Sequence, residues 1–180
     1  VRVVLDTCVL YPTVMREMLL GAARLGHFTP LWSARILEEW ARAARKLGPT
    51  GEDQARGEIA LVRAAWLGAE LPAAPGIEAR LWLPDPADLH VLAVAVAGSA
   101  DVIVTLNRKD FPKNILAEEG LERIAPDEFL YDFWLKDAKG LGEVGTRVLA
   151  QANAMAGGGW DIRALMKKAR LPRLGKALAG

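Results

Sequence analysis

Val1, Val3, Val4 and Leu5 surround a single Arg2 at the start of the chain, the pattern of a buried strand over residues 2–6. Pro12 suits the first turn of a helix, and Val14, Met18, Leu19, Ala22 and Leu25 recur at helical spacing until Gly26 stops them. Phe28 to Trp32 reads as a second strand. Ser33 is a good cap for a helix over residues 34–47, which Gly48-Pro49 ends. Residues 52–68 form a further helical pattern with Ile59, Leu61, Val62, Ala65 and Trp66 as candidate core, and the Pro-rich residues 70–76 read as a connection. Asp85-Pro86-Ala87-Asp88 combines a cap, a proline and an acid ahead of the apolar run His90 to Ala97, which Gly98 closes. Asp101 to Thr105 is a strand, Asn107 to Pro112 a loop, Ile124-Ala125 a last short strand, and Pro126-Asp127 the start of another helix.

This alternation predicts an α/β fold, a central parallel β-sheet flanked by helices. After about residue 138 the strand patterns stop, and two helices are expected over 140–155 and 161–174, separated by Gly157-Gly158-Gly159. The expected division is an α/β domain over 1–137 and a C-terminal α-helical extension over 138–180 packed on it.

Composition narrows the class. With 180 residues and 52% hydrophobic positions the chain can bury a substantial core, and it is too apolar for disorder. No apolar run approaches the roughly 18 residues of a membrane span, so no membrane partner is expected. The strand begins without a signal-peptide pattern, and the expected location is cytoplasmic. The lone Cys8 excludes an intrachain disulfide and a cysteine-rich zinc site; a small buried residue is its default. The formal charge of +1 hides an asymmetry: residues 161–180 carry six basic side chains against Asp161 alone, a charge suited to a polyanion or an acidic partner, or simply to a solvated helix face.

The chemistry lies in the acids. Asp6 ends the first strand, Glu39 sits inside the second helix, Asp85 and Asp88 open an apolar helix, and Asp110 follows the strand 101–105. In a parallel sheet the C-terminal strand ends gather at one edge, where acids distant in sequence can meet. A carboxylate cluster is costly unless a cation holds it, and a hard divalent ion does so through oxygen ligands. Such ions can clamp the attacking and leaving oxygens of a phosphodiester, so the pattern points to a metal-dependent nuclease. Each acid also has an ordinary use. Asp6 and Asp85 can cap, Asp88 can answer a helix dipole, Asp110 can cap the segment after Pro112, and Glu39 can be a surface acid. Glu38 and Glu39 are separated by about 100° on the helix, so only one of them can face a given site.

The motifs resemble those of the PIN domain family of Mg²⁺/Mn²⁺-dependent ribonucleases. Val3-Val4-Leu5-Asp6-Thr7 is similar to that family's opening strand and first acid. Ser33-Ala34-Arg35-Ile36-Leu37-Glu38-Glu39-Trp40 is similar to its S-x-x-I/V-L-x-E helix, which places the second acid on Glu39. Pro84-Asp85-Pro86-Ala87-Asp88 followed by Val91-Leu92-Ala93 matches its P-D-P-x-D-x-x-V-L-A segment, with Asp88 as the third acid. Val104-Thr105-Leu106-Asn107-Arg108-Lys109-Asp110-Phe111 resembles the V-T-x-N-x-x-D-F ending of the toxin-like, VapC-like branch. The resemblance runs from residue 1 to about 130. One position departs: many members carry an acid where this chain has Asn107, which either leaves a second metal without that ligand or passes the duty to Asp110.

What the resemblance implies is an endoribonuclease with Asp6, Glu39, Asp88 and Asp110 as catalytic acids, converging on one site. Asp6, Glu39, Asp85, Asp88 and Asp110 would be the ligands of Mg²⁺ or Mn²⁺. Thr105, Asn107, Arg108, Lys109 and Arg42 would contact RNA, with Arg45, Lys46 and Lys113 as further phosphate clamps. A small antitoxin protein and a homodimer are the implied protein partners. Two alternatives stand beside this: a non-catalytic PIN-like module that binds RNA or protein, and an α/β phosphatase with Asp6 as nucleophile. Against the second, dehalogenase-like phosphatases place another Asp two positions on, where this chain has Cys8. His90 is expected to pack, His27 to sit at a helix end, and the six tryptophans to lie mostly in core, with Trp82 a candidate base stacker.

Overall fold

Five strands and eleven helices alternate through the computed structural model, which describes residues 1–180. In chain order they are β1 (Arg2–Leu5), α1 (Thr7–Leu10), α2 (Thr13–Arg24), β2 (Thr29–Ser33), α3 (Ala34–Ala43), α4 (Gly51–Ala65), β3 (Glu70–Leu71) and α5 (Pro75–Glu78). There follow α6 (Leu89–Ala97), β4 (Val102–Val104), α7 (Lys113–Glu118), β5 (Glu122–Ile124), α8 (Pro126–Lys136), α9 (Ala138–Ala156), α10 (Ile162–Lys168) and α11 (Pro172–Ala179). Short 3-10 turns over Ala44–Leu47 and Pro86–Asp88 extend α3 and precede α6.

The strands form one sheet in the order β3-β2-β1-β4-β5. β1 runs parallel to β2 on one side and to β4 on the other, with Leu5 in register with Val104. Val3, Val4 and Leu5 are wholly buried, as a strand with neighbours on both edges and helices on its faces requires. α6 is apolar almost all round, and His90 to Ala95 are all buried where it packs against β1 and β2. α3 is amphipathic in contrast: Ile36, Leu37, Trp40 and Ala41 face inward, and Ser33 caps it by accepting from the Ile36 amide at 3.2 Å.

The chain groups into two compact units, Val1–Tyr11 with Thr29–Arg123, and Pro12–Phe28 with Ile124–Gly180. The first holds the sheet. The second is helical and joins α2 to α8–α11. Within it Phe28, Phe129 and Phe133 form an aromatic cluster with centroids 4.7 to 5.8 Å apart, and His27 stacks on Phe133 at 5.0 Å. His27 Nε2 also lies 2.8 Å from Asp137 Oδ2, so its role is a side-chain pairing more than a helix stop. Gly21 of α2 faces Val144 of α9 with no room for a Cβ between them, which is why that helix pair closes on a glycine.

Several expectations are corrected. The helix expected over 52–68 ends at Ala65, and Leu61 and Ala65 face solvent; only Ile59 and Val62 of its expected core are buried and Trp66 is half-buried. Residues 70–76 are not a plain connection, since β3 adds an edge to the sheet and α5 begins at Pro75. The single helix expected over 161–174 is two helices: Arg170 adopts φ 64°, and Pro172 opens α11, where a missing N–H costs nothing. Of the six tryptophans, only Trp32 and Trp40 are fully buried, and Trp82 is 65% exposed. No helix is long and apolar enough to cross a membrane.

Candidate metal centre

Asp6 is the first residue beyond β1, and the register of β1 with β4 sets it beside Thr105. Its carboxylate is almost buried and fully engaged. Oδ1 accepts from the Thr7 amide at 2.8 Å, and Oδ2 accepts from Thr105 Oγ1 at 2.8 Å and from Cys8 Sγ at 3.4 Å. It therefore caps α1 while lying at the sheet edge. Burial raises its pKa above the ordinary carboxylate value, the Thr105, Thr7 and Cys8 bonds oppose that, and the charge of Glu39 adds to it.

Glu39 reaches the same edge from α3. Thr7 Oγ1 donates to Glu39 Oε2 at 3.3 Å, after a stronger bond to the Ile36 carbonyl at 2.9 Å. His90 Nε2 stands 2.6 Å from Glu39 Oε1, yet out of line for a hydrogen bond, so both buried nitrogens of the ring are without a hydrogen-bond partner. Arg35 Nε, one turn back on α3, lies 3.8 Å from the same oxygen. Glu38 is turned elsewhere. Arg56 binds it through both arms at 2.9 Å and Arg42 at 3.3 Å, and those bonds hold its carboxyl down at about 2.

Asp85 and Asp88 come from the turn ahead of α6. Asp85 Oδ1 caps that turn by accepting from the Ala87 amide at 2.9 Å. Asp110 lies beyond β4. Asn107 ties the two segments together, its Nδ2 donating to Asp110 Oδ2 at 3.0 Å and to Asp88 Oδ2 at 3.4 Å. One ligand oxygen from each of Asp85, Asp88 and Asp110 falls within 4.8 Å of the others. Asp6 and Glu39 are not members of that tight trio. They are close enough to act on it: burial first, then the charges of Asp6, Asp85, Asp110 and Glu39, push the Asp88 carboxyl up to about 6.

The structure thus brings Asp6, Glu39, Asp85, Asp88 and Asp110 to one edge of the sheet, with Asp6 buried, Glu39, Asp88 and Asp110 half-buried, and Asp85 exposed. The trio tests the fit of a divalent ion. Two Mg–O bonds of about 2.1 Å allow ligand oxygens to stand up to roughly 4.2 Å apart, so small side-chain rotations bring 4.8 Å into range. An all-carboxylate donor set suits a hard cation.

The substrate-contact candidates are spread differently. Thr105 is fully buried, with its hydroxyl accepting from the Asn107 amide at 3.0 Å while donating to Asp6, so it organises acids and does not meet solvent. Asn107 is likewise occupied with Asp88 and Asp110. Arg108 and Lys109 are exposed next to Asp110. Arg42 is tied to Glu38 in a surface network of Arg45, Glu52 and Arg56. Sequence reasoning missed Thr7 as a holder of Glu39, although it stands in the first motif, and it gave His90 packing alone. No local signal marks His90, because the neighbour that matters comes from another helix. Cys8 is inert: burial and then the Asp6 charge push its thiol up to about 11.

Residues 2–109, well over half of the chain, match the PIN domain family. Over 45 residues the chain is 49% identical to the candidate ribonuclease VapC50 of Mycobacterium tuberculosis, a stretch that covers 25% of this chain and 27% of that protein. The match therefore spans only about a quarter of that relative's length. No solved structure gives a match.

Proposed function

This chain belongs to the PIN domain family, and on that premise we propose that it is a divalent-metal-dependent endoribonuclease that hydrolyses phosphodiester bonds in RNA. The observation that carries the proposal is the convergence of Asp85, Asp88 and Asp110, whose ligand oxygens lie within 4.8 Å of one another, an arrangement that like charges oppose and a bound cation relieves. Asp85, Asp88 and Asp110 would hold Mg²⁺ or Mn²⁺ directly, with Asp6 and Glu39 behind them. When bound, the ion would supply Lewis-acid stabilisation of the charge that builds on the phosphate oxygens.

The other steps fall to residues of the chain. Asn107 keeps Asp88 and Asp110 side by side, the task an acid would perform through shared metal in other members. Thr7, Cys8 and Thr105 fix the orientation of Asp6. Glu39 has one oxygen near Thr7 and the other near His90, and at 39% side-chain exposure it can take a proton from water entering the site. Arg108 and Lys109 present two positive charges beside Asp110 for the RNA backbone. The likeness of the segment 104–111 to the toxin-like branch extends the proposal to a toxin held inactive by a small protein partner.

Cleavage of single-stranded RNA in Mg²⁺ or Mn²⁺, with and without chelator, is the direct test, with Asp88→Asn as the control. Metal-dependent cutting that the control lacks is the expected result. Calorimetry that finds no metal binding, together with no cutting, would replace the proposal with a non-catalytic module.

A further inference from the structure

A cavity of about 410 Å³ lies on the β2–β3 side of the sheet, within the sheet unit. Arg35, Leu71, Glu78, His90 and Val94 contribute to its wall. Two of these also flank the acid site: His90 Nε2 is 2.6 Å, and Arg35 Nε 3.8 Å, from Glu39 Oε1. The Arg35 guanidinium in turn lies 3.8 Å from Glu78 Oε1 and is more than half exposed. Two side chains of the cavity wall therefore also approach Glu39, one of the acids beside the candidate metal centre.

We propose that this cavity receives the base of an unpaired guanosine in the RNA, next to the phosphate that is cut, and so sets base preference. The placement beside the cut phosphate rests on the nuclease assignment above; the recognition chemistry does not. The volume falls within the ~300–1,000 Å³ range of small-ligand pockets, far above what one water or ion fills. Leu71 and Val94 give it apolar wall, and the planar Arg35 guanidinium offers a surface on which a base can stack. Of its two carboxylates, Glu70 is held by Arg63 at 2.7 Å, which leaves that of Glu78 to favour a donor edge. Guanine alone among the four bases sets an imino and an amino N–H side by side, matching the two oxygens of one carboxylate.

The test begins with the metal-free protein, so that it does not depend on cutting. Guanosine, adenosine, cytidine and uridine 5′-monophosphates are titrated in turn and followed by ¹H–¹⁵N NMR. Guanosine monophosphate is expected to move resonances of residues 70–78 and the His90 ring, and Glu78→Gln to weaken it by about tenfold, or 1.4 kcal/mol. Ala73→Trp, at an exposed position on the wall, should block all four by filling the space. If that variant fails to fold, Glu78→Gln carries the test alone. No shifts at millimolar nucleotide, equal shifts from all four, or wild-type affinity in Glu78→Gln each overturn the proposal.

A second arm uses short single-stranded RNAs with guanosine at one position. Cleavage beside it should show a higher KM and unchanged kcat in Glu78→Gln. Cutting without base preference would mean that the cavity serves a free nucleotide, and would also overturn the proposal. Guanosine binding without any RNA cleavage would sink the nuclease assignment and leave base recognition standing. Cleavage without guanosine binding would do the reverse.

Discussion

Thr105 Oγ1 donates a 2.8 Å hydrogen bond to Asp6 Oδ2, joining residues 99 positions apart through the ends of two neighbouring parallel strands. Leu5 is in register with Val104, and the Asp6 amide donates to the Val104 carbonyl at 3.2 Å, so the next residue on each strand meets the other at the end of the ladder. The bond does two things at once. It satisfies a buried carboxylate, and it fixes the direction in which the other side of that carboxylate faces.

Thr105→Val keeps the shape and removes the hydroxyl. It leaves Asp6 short of a donor and the Asn107 amide short of an acceptor. A loss of about 1–3 kcal/mol is expected at neutral pH, since a buried acceptor deprived of its partner bears its desolvation cost. The Asp6 carboxyl should also rise further, because the Thr105 bond is the largest influence that lowers it. Urea denaturation of the Val and Ser variants measures this; a Val variant as stable as the native chain would show that the bond contributes nothing net.

Asp88 carries a pH dependence of known sign. Its carboxyl is raised from 3.8 to about 6 in the folded state. Below pH 3.8 it is protonated in both states and carries no penalty; as pH rises through about 6 the folded state is penalised and that share of stability is lost. Asp88→Asn should therefore leave stability unchanged near pH 4 and raise it near pH 7. The raised value corresponds to roughly 3 kcal/mol, but the group is only half-buried and solvent screens it, so about 1 kcal/mol is the expected gain. The same variant should bind no divalent ion tightly. Denaturation curves across pH 4–8 decide it, and a variant equally destabilised at every pH would point to lost packing instead.

Glu38 and Glu39 differ in their partners: Glu38 is bound by Arg42 and Arg56, and Glu39 lies beside Thr7 and His90. Glu39→Gln should cut activity by about a hundredfold or more, in line with the usual size of general-base contributions. Glu38→Gln should leave the rate unchanged, because its carboxylate is bound to Arg42 and Arg56. Parallel turnover measurements on both variants settle the pair, and the opposite ranking would move the site to the other face of α3.

How much of this was legible beforehand follows from the kind of signal involved. The caps of α3 and α10 and the run of α6 are local, and Ser33, Asp161 and the residues 89–97 carry them in the sequence. The cap of α11 is not local. Asp127, at the start of α8, accepts from the Arg173 and Leu174 amides at 2.9 Å each.

Asp127→Ala should consequently loosen α11, not α8, at a cost of about 1 kcal/mol, the usual value of a helix cap. Hydrogen exchange would show it as faster exchange confined to residues 172–179. Loss of protection in α8 with none in α11 would contradict it.

The sequence by itself determined the class of fold and the family. The alternation of strand and helix patterns, the order of the acids and the motif spacings are properties of neighbouring residues, and residues 2–109 match the PIN domain on that basis. It also marked Asp6, Asp85, Asp88 and Asp110, because each sits where an element begins or ends. Only the tertiary structure decided which of them share an ion-sized space. The strand order β3-β2-β1-β4-β5 inserts β4 beside β1, and this carries Asp110 and Asn107 to Asp88 while Thr105 locks Asp6 one layer deeper. It likewise set His90 against Glu39, split the last helical pattern at Arg170, and gathered α2 with the C-terminal helices. Periodicity reports which face of an element is apolar; it contains nothing about which distant element that face will meet, and that depends on strand order and register.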